Sequence, residues 1–310
     1  MKPRTHGSKL FMFATISSSL LFIVGPLLGT RVYFPDHTSV LFTLKHYVGP
    51  LALGLTAAAI ARPVWTISGN PGQKSSGVAV PTSLLDLAAF SLILFVHFNL
   101  KLWSHLVNQE NYDAEFQRID NALAPVRGWL VATAQWVTPM IPLDKPYTDL
   151  FISMFLLSFL VHGASGQNRQ LRVLLISTSL VLVLGGLAYW IAPAYGPMVF
   201  DMPDVEFVRY MLAFSNKFVA SGGSEYTPFM FISMLAAMPS LHVANAVVLV
   251  YYAWKWRPAL LWFHVPCTVY FLCQGVALRL HYLIDYPAGL ILAGICVKIA
   301  ELSIEAEERI

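Results

Sequence analysis

At 310 residues, 56% hydrophobic and 12% charged, with a mean hydropathy of +0.61, the chain is unlike a soluble domain of its length, which would carry about 25% charged residues. This composition describes a polytopic membrane protein. The net charge of +3, spread without a basic run, offers no surface for nucleic acid.

A membrane-spanning helix needs roughly 20 mostly apolar residues. Eight candidates follow one another, near 10–30, 40–61, 83–103, 149–166, 171–193, 239–255, 259–277 and 284–302. The fourth and sixth are short, so the expected count is six to eight spans. Residues 1–9 are basic, as in a signal peptide. The apolar stretch after them is too long for an h-region and lacks an A-x-A site, so it reads as a retained first span. Thr82 and Ser83, ahead of Asp86, form a capping-box pattern at the third span. Pro146 and Thr148–Asp149 mark the start of the fourth.

Between the third and fourth spans, Phe116, Ile119, Leu123 and Val126 recur at helical spacing, opposite Asp113, Glu115, Arg118 and Asp120. The spacing predicts an amphipathic helix lying on the membrane surface. The stretch LVATAQWVTPMIP after it is apolar but short, either re-entrant or interfacial. A second long connection, Tyr195–Ala237, holds the turn-rich runs PAYGPMVFDMPD and VASGGSEYTP. Cys267, Cys273 and Cys296 lie in apolar segments, are odd in number and form no CxxC, which speaks against a disulfide framework or a zinc site. The expected architecture is all-α, one integral membrane domain over 1–310. It comprises N-terminal spans (1–104), an outer amphipathic segment (105–148), core spans (149–303) and a tail (304–310).

Lysine and arginine in short loops set orientation. With the N-terminus inside, the inner segments hold Lys2, Arg4 and Lys9; Arg62 and Lys74; Arg169 and Arg172; Lys255 and Arg257. The short outer turn near Val32–Ser39 has only Arg31 at its edge. Both termini are then cytoplasmic, and the two long connections lie outside.

Ser240 and His242 stand at the mouth of the sixth span, and Arg279, His281 and Asp285 at the start of the eighth. One crossing separates the histidines, so both belong to one face, the outer one on the charge-derived topology. Ionisable residues beside spans are costly and point to function. Asp285, four residues after His281, would share its helix face within hydrogen-bond reach. A carboxylate on one imidazole nitrogen fixes the tautomer and supports charge on the other, which makes a better nucleophile. A second histidine protonating a leaving oxygen contributes about 10²–10⁴-fold, and an arginine suits phosphate. The bland alternatives are an N-cap for Ser240, a helix-start acid for Asp285 and an interfacial anchor for Arg279. Lys45, His46, His97, His162 and His264 read as packing, snorkelling or local hydrogen bonding.

PSLH and HYLID resemble the later motifs, P-S-G-H and S-R-x5-H-x3-D, of the type 2 phosphatidic acid phosphatase superfamily. The Leu241 variant, and the stretch NYDAEFQRIDNAL, are similar to the branch with fungal inositol phosphorylceramide synthases and bacterial relatives. The motif match covers Pro239–Gly289. The resemblance implies that His281 attacks phosphorus to form a phosphohistidine, Asp285 orients it, His242 protonates the leaving alcohol and Ser240 holds phosphate oxygens. Two departures stand out. Gly275 and Gln274 occupy the positions of the family's arginine and serine, with Arg279 only two residues before His281. The first motif, K-x6-R-P, is absent, since Arg62-Pro63 and Arg257-Pro258 lack the lysine and fall on the inner side. Arg279 is the candidate phosphate-binding residue; Arg209, Lys217, Lys101 and His105 are further cations toward the outer face.

The expected function is that of a membrane-embedded phosphatase or phosphotransferase acting on a phospholipid, polyprenyl or sphingolipid phosphate. No metal or other cofactor is expected, since the carboxylate clusters of a Mg²⁺ site are missing. Transfer of inositol phosphate or another headgroup to a lipid acceptor, a transporter with a His281–Asp285 proton relay and an inactive lipid-phosphate binder are the alternatives. Oligomeric state is left open.

Overall fold

The computed structural model describes residues 7–67, 80–164, 168–228, 230–233 and 236–308, and their side chains except at 7–9, 58, 61–67, 80–83, 168, 233 and 307–308. The predicted cap at Thr82–Ser83 and the basic residues Lys2, Arg4, Lys9, Arg62 and Lys74 lie outside the described side chains.

The described residues form helices and no strand: an all-α polytopic bundle. The first is α1 (Gly7–Leu27), followed by α2 (His37–Thr43), a π-turn (Leu44–Val48) and α3 (Gly49–Ile67), then α4 (Val80–Val107). Two shorter helices, α5 (Asp113–Ala122) and α6 (Ala124–Val137), precede α7 (Pro146–Ala164) and α8 (Asn168–Ala188). The connection after α8 carries α9 (Met198–Asp201), α10 (Glu206–Ala220) and α11 (Met230–Ser233). The chain closes with α12 (Leu241–Trp256), α13 (Leu261–Ala277) and α14 (Asp285–Glu308). Seven segments are long and apolar enough to cross a membrane, by length and composition, among the described residues. The remaining candidate, the sixth, is α12, whose 16 residues rise about 24 Å. It packs against α7, α8, α13 and α14, with apolar residues on every side, as a helix enclosed by others requires.

Buried apolar side chains from these helices form one large core, including Phe90, Leu94 and Trp103 of α4, Phe159 of α7, Leu174 of α8 and Leu249 of α12. Several of the buried polar groups inside it are paired. Trp103 Nε1 donates to the Arg31 carbonyl at 2.9 Å, Trp190 Nε1 to the Leu100 carbonyl at 2.8 Å, and the Ser177 and Tyr252 hydroxyls share a 2.8 Å bond. Unpaired, each would cost about 1–3 kcal/mol. Lys255 pairs with Glu301 at 2.6 Å, joining α12 and α14 at the ends away from His242 and Asp285.

Helix α5 packs on the protein through its acidic side and leaves most of the apolar spacing exposed. Phe116 is buried, but Ile119, Leu123 and Val126 are 37%, 42% and 49% exposed, while Asp113 and Asp120 are each 1% exposed. The inward face is therefore Asp113–Phe116–Asp120, and the apolar residues look outward, as suits a helix at a bilayer interface. Burial of carboxylates requires donors, and two loops supply them. Asp113 accepts from the Tyr195 and Gly196 amides, both at 2.8 Å, and from the Tyr282 hydroxyl at 2.9 Å. Asp120 accepts from the Leu283 amide at 2.8 Å. Burial holds both carboxyls above their ordinary range, and these hydrogen bonds offset only part of that rise. Met198 N to Arg279 O at 3.0 Å joins the same two loops directly, and Ala237 N to Ala194 O at 2.9 Å ties the first of them to the residues before α12.

Helix α6 and a 3₁₀ turn (Thr138–Met140) account for the short apolar stretch, and α6 packs on α13. The turn-rich connection holds a helix that sequence reading did not predict. Val208, Met211, Ser215 and Phe218 of α10 are buried, a helical spacing overshadowed by the glycines and prolines on either side.

Replacing Asp113 with alanine orphans two buried amides and a hydroxyl. The expected loss is on the order of 3 kcal/mol, with faster amide hydrogen exchange over 278–284 and unchanged exchange in α12. Unchanged exchange in that loop would refute the clamp.

Candidate active site

Two helix termini build the site. Ser240 is the N-cap of α12, with extended backbone and its Oγ accepting from the Val243 amide at 3.4 Å. This is the capping role its residue type favours. Its own amide donates to the Asp285 carbonyl at 3.1 Å. Gly289, one turn further along α14, makes this approach possible, because a Cβ there would stand 2.7 Å from the Ser240 carbonyl oxygen.

The second terminus is the end of α13. Leu280 N bonds to Gly275 O at 2.9 Å and Arg279 N to Val276 O at 3.1 Å, the pattern of a Schellman motif. Its left-handed residue is Arg279, at φ 58°, where glycine is usual. A side chain in that conformation costs about 1–2 kcal/mol. The turn points the Arg279 guanidinium to Asp201, at 3.2 Å, and brings His281 round toward α12.

His281 is 7% exposed and its ring is held from three sides. Nδ1 lies 3.1 Å from Asp285 Oδ2 and 3.1 Å from the Ala237 carbonyl. Both partners are acceptors only, so Nδ1 carries a proton, and in the neutral ring Nε2 keeps its lone pair. Ser240 Oγ stands 3.2 Å from that Nε2. Asp285 is fully buried, and its Oδ2 also accepts from the Tyr282 amide at 2.9 Å. His281 precedes α14, which begins at Asp285. The contact therefore arises from a tight turn, not from one helix face. Pro287 falls in the first turn of α14, where a missing amide costs nothing.

His242 faces His281 with ring centroids 6.2 Å apart. Tyr147 and Phe151 pack on the His242 ring, at 5.1 and 4.7 Å. Both histidines line a cavity of about 310 Å³. Its walls come from helix ends that meet at one end of the bundle. Among the described residues no aspartate or glutamate lines it, and its other ionisable residues include His46, His97 and Lys101. Aromatic rings such as Phe42, Phe98 and Phe151 form much of the remaining wall. Asn245 donates through Nδ2 to the Leu241 carbonyl at 2.9 Å, which leaves its buried Oδ1 without a partner. His46 and His97 place Nδ1 on the carbonyls of Phe42 and Leu182, each at 2.9 Å, so that nitrogen carries the proton in both rings.

Of the residues singled out from sequence, Ser240, His242, His281 and Asp285 come together. Arg279 does not join them: it pairs with Asp201 and lies outside the cavity lining. Arg209, Lys217 and His105 also lie outside the lining, whereas Lys101 is part of it. The position where the resemblance calls for an arginine, Gly275, is occupied by its neighbours. A Cβ there would stand 2.8 Å from the Tyr286 hydroxyl and 3.4 Å from His281 Cδ2. His46, His97 and Asn245 were read from sequence as packing residues or not singled out. Their signal was polarity inside an apolar span, a signal shared by His264, which simply bonds to Ser158 at 2.7 Å.

The sequence profile of the PAP2 superfamily matches residues 120–299. No curated protein and no solved structure matches the chain. Because the match spans more than half of the 310 residues and takes in the whole Ser240–His242–His281–Asp285 cluster, this protein belongs to the PAP2 superfamily.

Proposed function

We propose that this protein is a membrane-embedded lipid phosphate phosphatase or phosphotransferase working through a phosphohistidine at His281. The observation that carries this reading is the His281 ring, with Nδ1 between two acceptors and Nε2 beside Ser240 in a cavity shared with His242. The Nε2 lone pair attacks phosphorus, and the ester P–O bond breaks. His242 gives its proton to the departing alcohol oxygen. Asp285 offsets the positive charge that the phosphorylated imidazole carries. In the second half, His242 takes a proton from water or an alcohol, whose oxygen attacks phosphorus and breaks the P–N bond. Ser240 helps to hold the non-bridging oxygens. Fixed donors around a transferring phosphoryl group are the main source of such catalysis.

The substrate is a phospholipid, polyprenyl or sphingolipid phosphate drawn from the bilayer. Transfer to an alcohol is the second reading. The unpartnered Asn245 Oδ1 is an acceptor suited to a hydroxyl, and Leu241 in PSLH favours the inositol phosphorylceramide synthase branch. The Lys and Arg bias supports a site on the extracytoplasmic face with both termini in the cytoplasm.

In liposomes, His281→Ala is expected to abolish turnover of phosphatidic acid or a polyprenyl diphosphate, and His242→Ala to slow it by about 10²–10⁴-fold. Wild type quenched during turnover is expected to hold an acid-labile, alkali-stable phosphate label that His281→Ala lacks. A label that survives in His281→Ala would remove His281 as nucleophile. Free phosphate identifies hydrolysis, and a new phospholipid identifies transfer. For orientation, Glu110→Cys should react with an impermeant maleimide on intact cells and Ala259→Cys only after lysis. The reverse pattern would invert the topology.

A further inference from the structure

We infer that Lys101 is the residue that binds the phosphate group of the ligand in this cavity. The inference rests on the reading of the cavity as a phosphate-ester site. A phosphate monoester brings up to two negative charges into the bundle, and its oxygens need cationic partners. The arginine expected to supply one, Arg279, is committed to Asp201, and the Gly275 position is filled by Tyr286. Among the described residues no arginine lines the cavity. Lys101 does, and its side chain has no hydrogen bond or ion pair among the described residues.

An ammonium held in a membrane bundle without a counter-ion is costly, and the cavity wall contains no carboxylate to offset it. The missing negative charge is that of the ligand. Lys101 sits one turn after His97 on α4, and both line the cavity with His242. It therefore shares a chamber with the histidine assigned to the leaving group. A lysine acts as a compact charge with three donors, adequate for phosphate where the forked geometry of arginine is absent. Lys101 precedes the family match, which begins at residue 120, so membership of the family does not assign it this role.

The test uses the full-length protein in nanodiscs with Lys101→Met, Lys101→Arg and Arg279→Met. Binding of inorganic phosphate is followed by protection against thermal unfolding, and phosphatidic acid turnover is measured separately to distinguish a soluble from a lipid-borne phosphate. Lys101→Met is expected to weaken phosphate binding by about tenfold or more, the loss of one charge-assisted contact, and to raise KM for phosphatidic acid. Lys101→Arg should stay within about threefold of wild type, and Arg279→Met should match it. Without ligand, Lys101→Met should melt no lower than wild type, because it removes an unpaired ammonium. Equal phosphate affinity in wild type and Lys101→Met, or no binding in wild type, would overturn the inference. If Lys101-dependent binding is found while wild type and His281→Ala are equally inactive, the anion site stands and the phosphohistidine reading falls.

Discussion

A carboxylate with no exposed surface, Asp285, holds one edge of the His281 ring. Inside an apolar bundle such a group is tolerated only against strong donors, and His281 Nδ1 and the Tyr282 amide are the donors it has. That requirement dictates the local chain path. The backbone must double back between the end of α13 and the start of α14, and the imidazole must present Nδ1, not Nε2, to the acid. The tautomer follows from the fold, and with it the nitrogen that faces Ser240.

The turn is held in place from outside by α5. Asp113 and Asp120 reach the connections before α9 and before α14 and bind four backbone or hydroxyl donors between them. Two stretches without regular structure are thereby joined to one helix and to each other. The alternative, an irregular loop with free amides at the membrane boundary, would leave polar groups unsatisfied. The same clamp explains why α5 turns Asp113, Phe116 and Asp120 inward and leaves Ile119 exposed. Its carboxylates have their partners within the protein.

The helices before the family match supply much of the rest of the cavity wall. The π-turn after α2 carries His46 and Tyr47 to the lining, and α4 adds His97, Phe98 and Lys101. A π-turn widens the helix locally and is frequent at functional positions. The histidine pair and its acid come from the matched segment. The N-terminal helices contribute cationic and aromatic surface to the same chamber, so the shape and charge that a ligand meets are set by both parts of the chain.

The spans were legible in the sequence because burial in lipid demands long apolar runs whatever the tertiary arrangement. The N-cap at Ser240 was legible because capping is local. The meeting of His242 and His281 was legible because one crossing between them leaves both at one end of the bundle. Which ionisable side chains face the chamber was decided only by tertiary structure. Arg279 lies two residues from His281 in sequence, but the left-handed turn at that residue sends it to Asp201, while Lys101, far away in sequence, comes to the cavity on α4. In helices apolar on every side, periodicity carries little information about orientation, and on α5 the strongest inward pull comes from two carboxylates whose donors lie about 80 and 170 residues further along the chain. The sequence by itself determined the helices and the meeting of the two histidines; the packing of those helices determined the charge around them.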